Sequence, residues 1–442
     1  MKKIRKIYQI IQVKLTIMLL MMFCPGQECL ATGRAMDDLS GWQFSSQRKE
    51  IAPDFFIDKE NRYKDLSTLA LKGNGKSYVN GHWFRIINVN PGTYCDFSTH
   101  YLTEKVEEEN RCVLARIIWL DKESNQTGMA EYPALTGIVN PDGWREIRQV
   151  YKVPGEAVQA RIELIYRWDE DGTVRFGGTE MNKAENPLSR IVRLATIHHR
   201  PANNRSSEEN LEEFKDLIVQ AASGKADIVC LPEAITLAGT PHDYISASEP
   251  VPGPTTRFLG ELAKEHRMYI VAGILEREDE VVYNTAILMD RNGDLAGKYR
   301  KLSLPREEIE GGVTPGDRLP VFDTDFGRIG IMICWDVTFP ETARALAVKG
   351  AEIIFLPIWG GNLVLTRARA IENQVYLVSS TYDMKSAIFD LEGEILEEAT
   401  DKKPVIVAEV DLNRQKLWPW LGDFKNRIPR EMPPRKAVSL DK

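Results

Sequence analysis

The sequence is poor in metal-binding residues and has no excess of positive charge. It contains six histidines and six cysteines, and neither a CxxC nor an HxxxH spacing occurs, so a zinc site is not expected. The 57 basic and 64 acidic side chains give a formal charge of −7, which supplies no basic field for nucleic acid. No glycine-rich phosphate loop opens a helix. The sequence therefore predicts no metal, no cofactor and no nucleic-acid partner.

The first 31 residues have the layout of a secretory signal. Basic residues precede the apolar run LTIMLLMMF (15–23) and the segment CPGQECLA follows, so cleavage is expected near Ala31 or, alternatively, near Ala35. This run is too short to cross a bilayer, and no later stretch reaches about 18 uninterrupted apolar residues. Cys24 leaves lipoprotein anchoring open as the less favoured alternative, because Met22 and Phe23 before it are large. The sequence thus predicts a soluble, exported protein, either periplasmic or extracellular.

Four cysteines remain after residue 31, which is too few for a disulfide framework in a chain of this length. Cys95 and Cys112 flank a charged segment and could pair across adjacent strands in an oxidising compartment. The sequence leaves this alternative open, because it gives no distance between them. Cys230 and Cys334 each lie in or at the end of an apolar run, where a thiol is most simply a small buried hydrophobe.

From Trp42 to about Glu180 the chain consists of short runs rich in Val, Ile, Tyr and Trp, separated by Gly, Pro, Asn and Asp. Such runs predict an all-β antiparallel sandwich, assigned to residues 36–182. The segments VNPGTYCDF, DGWREIRQVYKVPGEAVQARIELIY and DGTVRFGG resemble jelly-roll modules of the carbohydrate-binding type. That resemblance implies either carbohydrate binding or packing against a catalytic partner. Packing is slightly favoured, because no exposed aromatic platform can be told from core aromatics.

A polar segment, MNKAENPLSR (181–190), marks the predicted domain boundary. Strands and helices then alternate over residues 190–412, beginning with IVRLATIHH and the helical pattern of SSEENLEEFKDLIVQAAS. The apolar runs have few polar interruptions, which indicates a sheet buried on both faces and an α/β layered domain. Residues 413–442 are predicted to form a C-terminal tail.

Reactive side chains follow three of the predicted strand ends in this half. DIVCLPE ends at Glu233, GKYRKLSLPREEIEGG contains Lys301 and Glu310, and IGIMIC ends at Cys334. Taken singly, they are ordinary: a loop carboxylate, a solvated basic cluster and a packed thiol. Because reactive groups collect outside the carboxyl ends of strands, we expect these side chains to converge. A thiol needs a base to remove its proton before it can act as a nucleophile, and a partly desolvated carboxylate can serve as that base. A fixed ammonium can stabilise the negative charge that develops on a substrate.

The segments LPEA, KYRKLSLP, IEGG, GRIGIMICWDVTFPETARALAVKGAEIIFLPIW and RARAIENQVYLVSS, in this order, resemble the nitrilase superfamily of carbon–nitrogen hydrolases from about Ile191 to Leu412. The resemblance implies a four-layer αββα sandwich and a Glu–Lys–Cys triad. Matched position by position, it makes Glu233 the base, Lys301 the oxyanion-stabilising lysine and Cys334 the nucleophile.

The same resemblance assigns supporting residues. Glu310 matches a second family glutamate that holds the lysine and positions the substrate, and the backbone N–H of Trp335 joins the lysine in holding the oxyanion. Trp359 is expected to border the substrate pocket, because its strand follows the helix after the nucleophile and ends at the same edge. A core tryptophan is the alternative for Trp359.

The sequence therefore predicts an exported, thiol-dependent hydrolase that cleaves the non-peptide C–N bond of a small-molecule amide through a thioester at Cys334. The segment WDVTFPE after the nucleophile resembles amidase branches of the family, and nitriles and N-carbamoyl compounds stay open as alternatives. The resemblance also suits a homodimer. An alternative from another class is an exported glycan-binding protein whose hydrolase half is inactive.

Overall fold

The computed structural model describes residues 39–418, 422–434 and 437. The predicted signal segment at residues 1–31 lies outside the described residues, as do residues 419–421, 435–436 and 438–442 of the predicted C-terminal tail. Within the described ranges, no helix has both the length and the apolar composition needed to cross a membrane.

The N-terminal half consists mainly of strands and contains one short α-helix in its described residues. This helix, α1, spans Glu109–Cys112. The strands are β1 Gln43–Ser45, β2 Asp54–Tyr63, β3 Leu66–Lys72, β4 Asn80–Asn88, β5 Tyr94–Glu104, β6 Val113–Leu120, β7 Leu135–Val139, β8 Arg145–Lys152, β9 Gln159–Arg167 and β10 Thr173–Ala184.

These strands form two antiparallel sheets that share one hydrophobic core. One sheet has the order β1-β4-β9-β6 and the other β2-β3-β10-β5-β8-β7. Successive side chains of a strand point to opposite faces, so alternate residues of β9 enter the core, namely Ala160, Ile162, Leu164 and Tyr166. The prediction of an all-β N-terminal half is confirmed.

The disulfide alternative for Cys95 and Cys112 is wrong, because both are free, buried thiols. Cys95 is the second residue of β5, and the strand carries the chain on to Glu104, roughly 30 Å away at about 3.3 Å per residue. The chain then passes through α1, and Cys112 is the last residue of that helix, directly before β6 of the other sheet. The two cysteines therefore do not lie opposite each other on adjacent strands.

The C-terminal half alternates strands and helices. Its helices are α2 Ser207–Ser223, α3 Pro254–His266, α4 Arg306–Glu310, α5 Pro340–Val348, α6 Leu363–Asn373 and α7 Phe424–Glu431, and a 3₁₀ turn spans Cys334–Thr338. Its strands are β11 Ile191–Ile197, β12 Ile228–Cys230, β13 Tyr269–Glu278, β14 Val281–Met289, β15 Leu295–Arg300, β16 Val321–Asp323, β17 Arg328–Ile331, β18 Ile353–Ile358, β19 Tyr376–Thr381, β20 Ala387–Phe389, β21 Ile395–Glu398, β22 Val405–Asp411, β23 Leu417–Trp418 and β24 Gly422–Asp423.

Two six-stranded sheets form the centre of this half, in the orders β15-β14-β13-β12-β11-β22 and β16-β17-β18-β19-β20-β21. In the first sheet β11, β12 and β13 run parallel, and in the second β17, β18 and β19 do so. The carboxyl ends of the parallel strands in each sheet therefore meet at one edge, where loops can carry reactive side chains.

Helices and sheets bury each other in this half. One hydrophobic cluster contains residues of both sheets, such as Ile228 and Phe355. Helices α2 and α3 pack on the first sheet through residues such as Phe214, and α5 and α6 pack on the second through residues such as Leu346. The prediction of an α/β layered half is confirmed.

The C-terminal helix α7 contacts the N-terminal half. Asn426 Nδ2 donates to Gln149 Oε1 at 2.6 Å, and the guanidinium of Arg430 donates to the carbonyl oxygen of Pro133. The last residues of the chain that the structure describes therefore lie against the all-β half rather than in the central sheets.

Candidate active site

Glu233, Lys301 and Cys334 each lie just beyond the end of a strand. Glu233 follows β12 after two residues, Lys301 follows β15 directly, and Cys334 follows β17 after two residues. The structure brings the three side chains together: Lys301 bonds to Glu233, and the charges of both act on the thiol of Cys334. The site therefore combines a carboxylate, an ammonium and a thiol from three separate strand ends.

The Glu233 carboxylate is buried and held through both oxygens. Oε1 accepts hydrogen bonds from Lys301 Nζ at 2.8 Å and from Asn284 Nδ2 at 2.7 Å, and Oε2 accepts one from the backbone N–H of Trp359 at 2.8 Å. Strand β13 passes close behind it, since a Cβ at Gly273 would lie 2.6 Å from the Cα of Glu233. These contacts fix the orientation of the carboxylate.

Lys301 bridges two carboxylates with only 1% of its surface exposed. Its Nζ donates to Glu233 Oε1 at 2.8 Å and to Glu308 Oε1 at 2.5 Å. Burial alone would lower the pKa of Lys301, but the neighbouring negative groups raise it above its usual range, so the side chain stays an ammonium. Burial raises the pKa of Glu308 to about 7 against the opposing charge of Lys301. Two carboxylates thus share one cation, and the site carries excess negative charge when both are ionised.

The prediction that Glu310 holds the lysine is wrong, because Glu308 occupies that place. Both residues lie in α4, where positions two apart differ in direction by about 200°, so only one of them can face the lysine. The Glu310 side chain is 61% exposed and pairs with Arg306 Nε at 2.7 Å.

Cys334 opens the 3₁₀ turn with a φ of 42°, in the left-handed region that residues other than glycine rarely adopt. Its Sγ lies 3.8 Å from the carbonyl oxygen of Gly360. Burial and the charge of Glu233 raise the pKa of the Cys334 thiol above its usual range, and Lys301 offsets only part of this effect. The resting group is therefore a thiol, which must lose its proton to act as a nucleophile.

A buried carboxylate, Asp336, ties the turn at the cysteine to the loop that carries the lysine. Its Oδ2 accepts from the backbone N–H of Ile333 at 2.9 Å and from the Tyr299 hydroxyl at 2.7 Å, and its Oδ1 accepts from the backbone N–H of Ser303 at 2.9 Å. Ile333 directly precedes the cysteine, and Tyr299 and Ser303 lie two residues on either side of the lysine. One side chain thus holds the two loops at a fixed separation.

The two tryptophans predicted near the site have different surroundings. Trp359 holds Glu233 through its backbone N–H, and its half-buried ring packs edge-on against Tyr382, with 5.0 Å between the ring centroids. Trp335 is 43% exposed, and its ring contacts the ring of Phe339. The assignment of the Trp335 backbone N–H to an oxyanion site stays a prediction.

The sequence does not predict four residues of the site, namely Asn284, Glu308, Asp336 and Tyr382. The Tyr382 hydroxyl donates to the backbone carbonyl of Glu233 at 2.8 Å. Tyr382 directly follows β19, as Trp359 follows β18, so its position past a parallel strand was an available signal. Asn284 interrupts the apolar part of β14, and a buried polar residue in such a run is the signal for a specific partner.

The protein-family model described as carbon-nitrogen hydrolase matches residues 192–419, more than half of the 442-residue chain. The omega-amidase NIT2 of Bos taurus is 31% identical over 264 residues, which cover 54% of this chain and 92% of the relative. A nitrilase of Pyrococcus abyssi is 36% identical over 244 residues, which cover 50% of this chain and 90% of the relative. Among solved structures, a carbon-nitrogen hydrolase from Helicobacter pylori G27 is 24% identical with a TM-score of 0.47, over 57% of this chain and 99% of that chain.

The family match spans more than half of the chain, and both curated relatives are matched over at least nine-tenths of their own length. In agreement with the resemblance in the sequence, the chain belongs to the carbon-nitrogen hydrolase family of the nitrilase superfamily, and it is an enzyme of the amidase and nitrilase type.

Proposed function

We propose that the enzyme hydrolyses the non-peptide C–N bond of a small amide through a thioester at Cys334. The observation that carries this proposal is the buried contact of Lys301 with Glu233 beside the thiol of Cys334. It supplies a base, a fixed positive charge and a nucleophile within one site. The name omega-amidase among the relatives supports amides as the first substrate class to test.

The proposed reaction has two halves. Glu233 takes the thiol proton as sulfur bonds to the carbonyl carbon, and the carbonyl oxygen becomes an anion stabilised by Lys301 and the backbone N–H of Trp335. The anion collapses, the C–N bond breaks and protonated Glu233 gives its proton to the leaving amine. Water then loses a proton to Glu233, adds to the thioester and releases the acid, and the proton returns to the Cys334 sulfur. Glu308 keeps Lys301 in place throughout.

Ammonia release from a panel of small amides, nitriles and N-carbamoyl compounds tests this proposal. We expect amides to be turned over by the wild type and by Cys112→Ala, which removes a buried thiol in the other half, but not by Cys334→Ala. Glu233→Gln should accumulate no acyl-enzyme in intact-mass spectra. Nitrile or carbamoyl turnover without amide turnover would replace the substrate class, and rapid thioester formation by Glu233→Gln would contradict its role as base.

An inactive hydrolase half in an exported glycan-binding protein is the competing proposal. Its signature would be an absence of turnover for the whole panel together with binding of the full chain to a glycan array.

The fold of each half can be proposed in more detail. The sequence pattern of the N-terminal half supports a jelly-roll module of the carbohydrate-binding type. The packing of two helix pairs on two sheets supports the four-layer αββα sandwich that the resemblance implies.

We also propose export and a homodimer. The basic and apolar layout of residues 1–31 supports export, which N-terminal sequencing of the protein from periplasmic and culture fractions would test. A mature N-terminus near position 32 or 36 is expected, and an intact N-terminus in the cytoplasmic fraction would contradict it.

The proposed homodimer is tested by light scattering of the purified chain, which gives the oligomeric state. A mass of one chain at micromolar concentration would contradict the dimer.

A further inference from the structure

We propose that Asn284 is a positioning residue of the reaction, whose side-chain amide holds the Glu233 and Glu308 carboxylates in register around Lys301. The inference rests on the proposed amidase function and adds a further group to its machinery. Asn284 touches neither the thiol nor the scissile bond in this role, and acts through the two carboxylates.

The contacts form a closed ring of four side chains. Asn284 Nδ2 donates to Glu233 Oε1 at 2.7 Å and to Glu308 Oε1 at 3.1 Å. The same two oxygens accept from Lys301 Nζ at 2.8 and 2.5 Å. A main-chain hydrogen bond also joins two members of the ring, because the N–H of Lys301 donates to the carbonyl oxygen of Asn284 at 2.8 Å. All four residues are buried.

The charges in this ring explain the need for a neutral donor. Two carboxylates share a single ammonium, so they repel each other in a site from which water is largely excluded. An amide nitrogen carries two hydrogens and can give one to each carboxylate without adding charge. A lysine or arginine in this place would neutralise the pair, whereas an aspartate would add a third negative group.

A purely structural account of Asn284 is weaker. The residues that follow it in β14 form an almost wholly apolar, buried run, and a leucine would fill a similar volume there. The Oδ1 atom of Asn284 is buried and has no hydrogen-bond partner in the part of the chain that the structure describes. Such an unmet acceptor lowers stability, so the amide is poorly explained by packing and well explained by its two donor bonds.

Loss of the Asn284 amide should change the pH dependence of the reaction. The titratable groups around Glu308 are Lys301 beyond β15, Glu233 beyond β12 and Tyr244 in the loop before α3. The hydrogen bond from Asn284 favours the ionised carboxylate of Glu308, so its removal raises the pKa of that group. The acid limb of the kcat/KM profile should therefore move to higher pH when the amide is lost.

The test compares Asn284→Leu and Asn284→Asp with the wild type and with Asn373→Leu as the matched control. Asn373 is also a fully buried asparagine with one Nδ2 bond, to the Arg369 carbonyl at 2.9 Å, and with an Oδ1 that lacks a partner in the described ranges, but it lies at the end of α6. Thermal unfolding, kcat and KM from pH 5 to 9 on the best amide of the panel, and the rate of Cys334 alkylation by iodoacetamide are measured for each.

Asn284→Leu should lose roughly tenfold or more in kcat with KM changed less than about threefold, and its acid limb should move up by roughly half a pH unit or more. Asn284→Asp, which keeps the shape, should lose more at neutral pH than at pH 5. Asn373→Leu should lose stability and keep the kcat/KM profile. A folded Asn284→Leu with the wild-type profile, or equal losses in both leucine variants, would overturn the inference while leaving the amidase proposal standing.

Failure of the amidase proposal gives a different result. A wild type that hydrolyses no compound of the panel removes that proposal, and the alkylation rates of Cys334 then carry the test. The pH profile of alkylation should still move up in Asn284→Leu and Asn284→Asp and stay unchanged in Asn373→Leu. Identical alkylation profiles in all four proteins would refute the positioning role.

Discussion

Replacing Glu308 and Glu310 in turn by glutamine tests the site at the point where sequence and structure disagree. The two residues lie in the same five-residue helix, yet Glu308 is 5% exposed and bonds to Lys301, whereas Glu310 faces solvent. Both substitutions keep the size of the side chain and remove one negative charge. Any difference between the variants therefore reports the surroundings of each position.

The expected loss of activity follows from the contact with Lys301. Glu308→Gln replaces a charge-assisted bond to the ammonium, and bonds of this kind contribute roughly 1.5–3 kcal/mol. If that energy fixes Lys301 in the transition state, kcat/KM falls roughly 10- to 150-fold, at about 1.4 kcal/mol per factor of ten. Glu310→Gln breaks only an exposed pair with Arg306, so kcat/KM should stay within about twofold of the wild type.

Stability should move in the opposite direction from activity. The pKa of Glu308 is raised from 4.5 to about 7, so its ionisation removes stability as the pH rises through that window. A shift of this size corresponds to at most about 3 kcal/mol above pH 7. Glutamine stays neutral, and one carboxylate is left for one ammonium. Glu308→Gln should therefore be as stable as the wild type at pH 5 and at least as stable at pH 8.

The assay is ammonia release from the best amide of the panel, combined with urea unfolding at pH 5 and pH 8. Equal activity of the two glutamine variants, or a larger loss for Glu310→Gln, would refute the structural assignment of Glu308. A Glu308→Gln variant that is much less stable than the wild type at pH 8 would refute the electrostatic reasoning while leaving the contact with Lys301 intact.

Four further predictions concern the lysine, the loop contact, the thiol of the site and the two thiols of the all-β half. Lys301→Met leaves two buried carboxylates without a cation, so the free energy of unfolding at pH 8 should fall by roughly 3–5 kcal/mol, and a wild-type urea midpoint would contradict this. Asp336→Asn can no longer accept all its hydrogen bonds, so it should lose about 1–3 kcal/mol in urea unfolding and lower kcat more than it raises KM; unchanged kcat would contradict its role in holding the loops. The alkylation rate of Cys334 should keep rising from pH 6 to above pH 9, because burial and the neighbouring carboxylate raise its pKa, and a plateau near pH 6 would indicate a preformed thiolate. Cys95 and Cys112 should both be alkylated in denaturant without reductant, and a peptide map that joins them would contradict their free state.

The sequence predicts Glu233 and Cys334 because each comes shortly after a buried, apolar strand, whereas Lys301 follows the mixed segment LAGKYR and is assigned by the family resemblance. Glu233, Lys301 and Cys334 are the reactive residues that come next after three strands, and sheet topology then brings those strand ends together. Helix α4 offers no such rule. It is too short to show a period, and it buries Glu308 while leaving Ile309 60% exposed, which is the reverse of what hydropathy predicts.

The strands also differ in whether the sequence predicts them, according to their place in the sheet. Central strands such as Ile353–Ile358 are buried at every residue and read as continuous apolar runs. Strands β21 and β22 lie at the edges of their sheets and have mixed burial, so the sequence pattern did not predict them. Cys95 lies in a segment correctly predicted as β structure, whereas Cys112 ends the helix α1 directly before such a segment. The partner strand of each segment depends on long-range pairing that local pattern does not contain.

The charges of the site support the order of the steps in the proposed mechanism. A thiol with a raised pKa is a poor nucleophile at rest, and the charge of Lys301, which also pairs with two carboxylates, offsets only part of this effect. In the proposed mechanism, the proton of the thiol passes to Glu233 once a substrate carbonyl lies beside the sulfur. As the proton moves to Glu233, Lys301 loses one of its anionic partners and can turn its charge toward the new oxyanion. In that mechanism, proton transfer and oxyanion stabilisation are coupled through one ammonium, and Glu308 remains as the second anionic partner that holds Lys301.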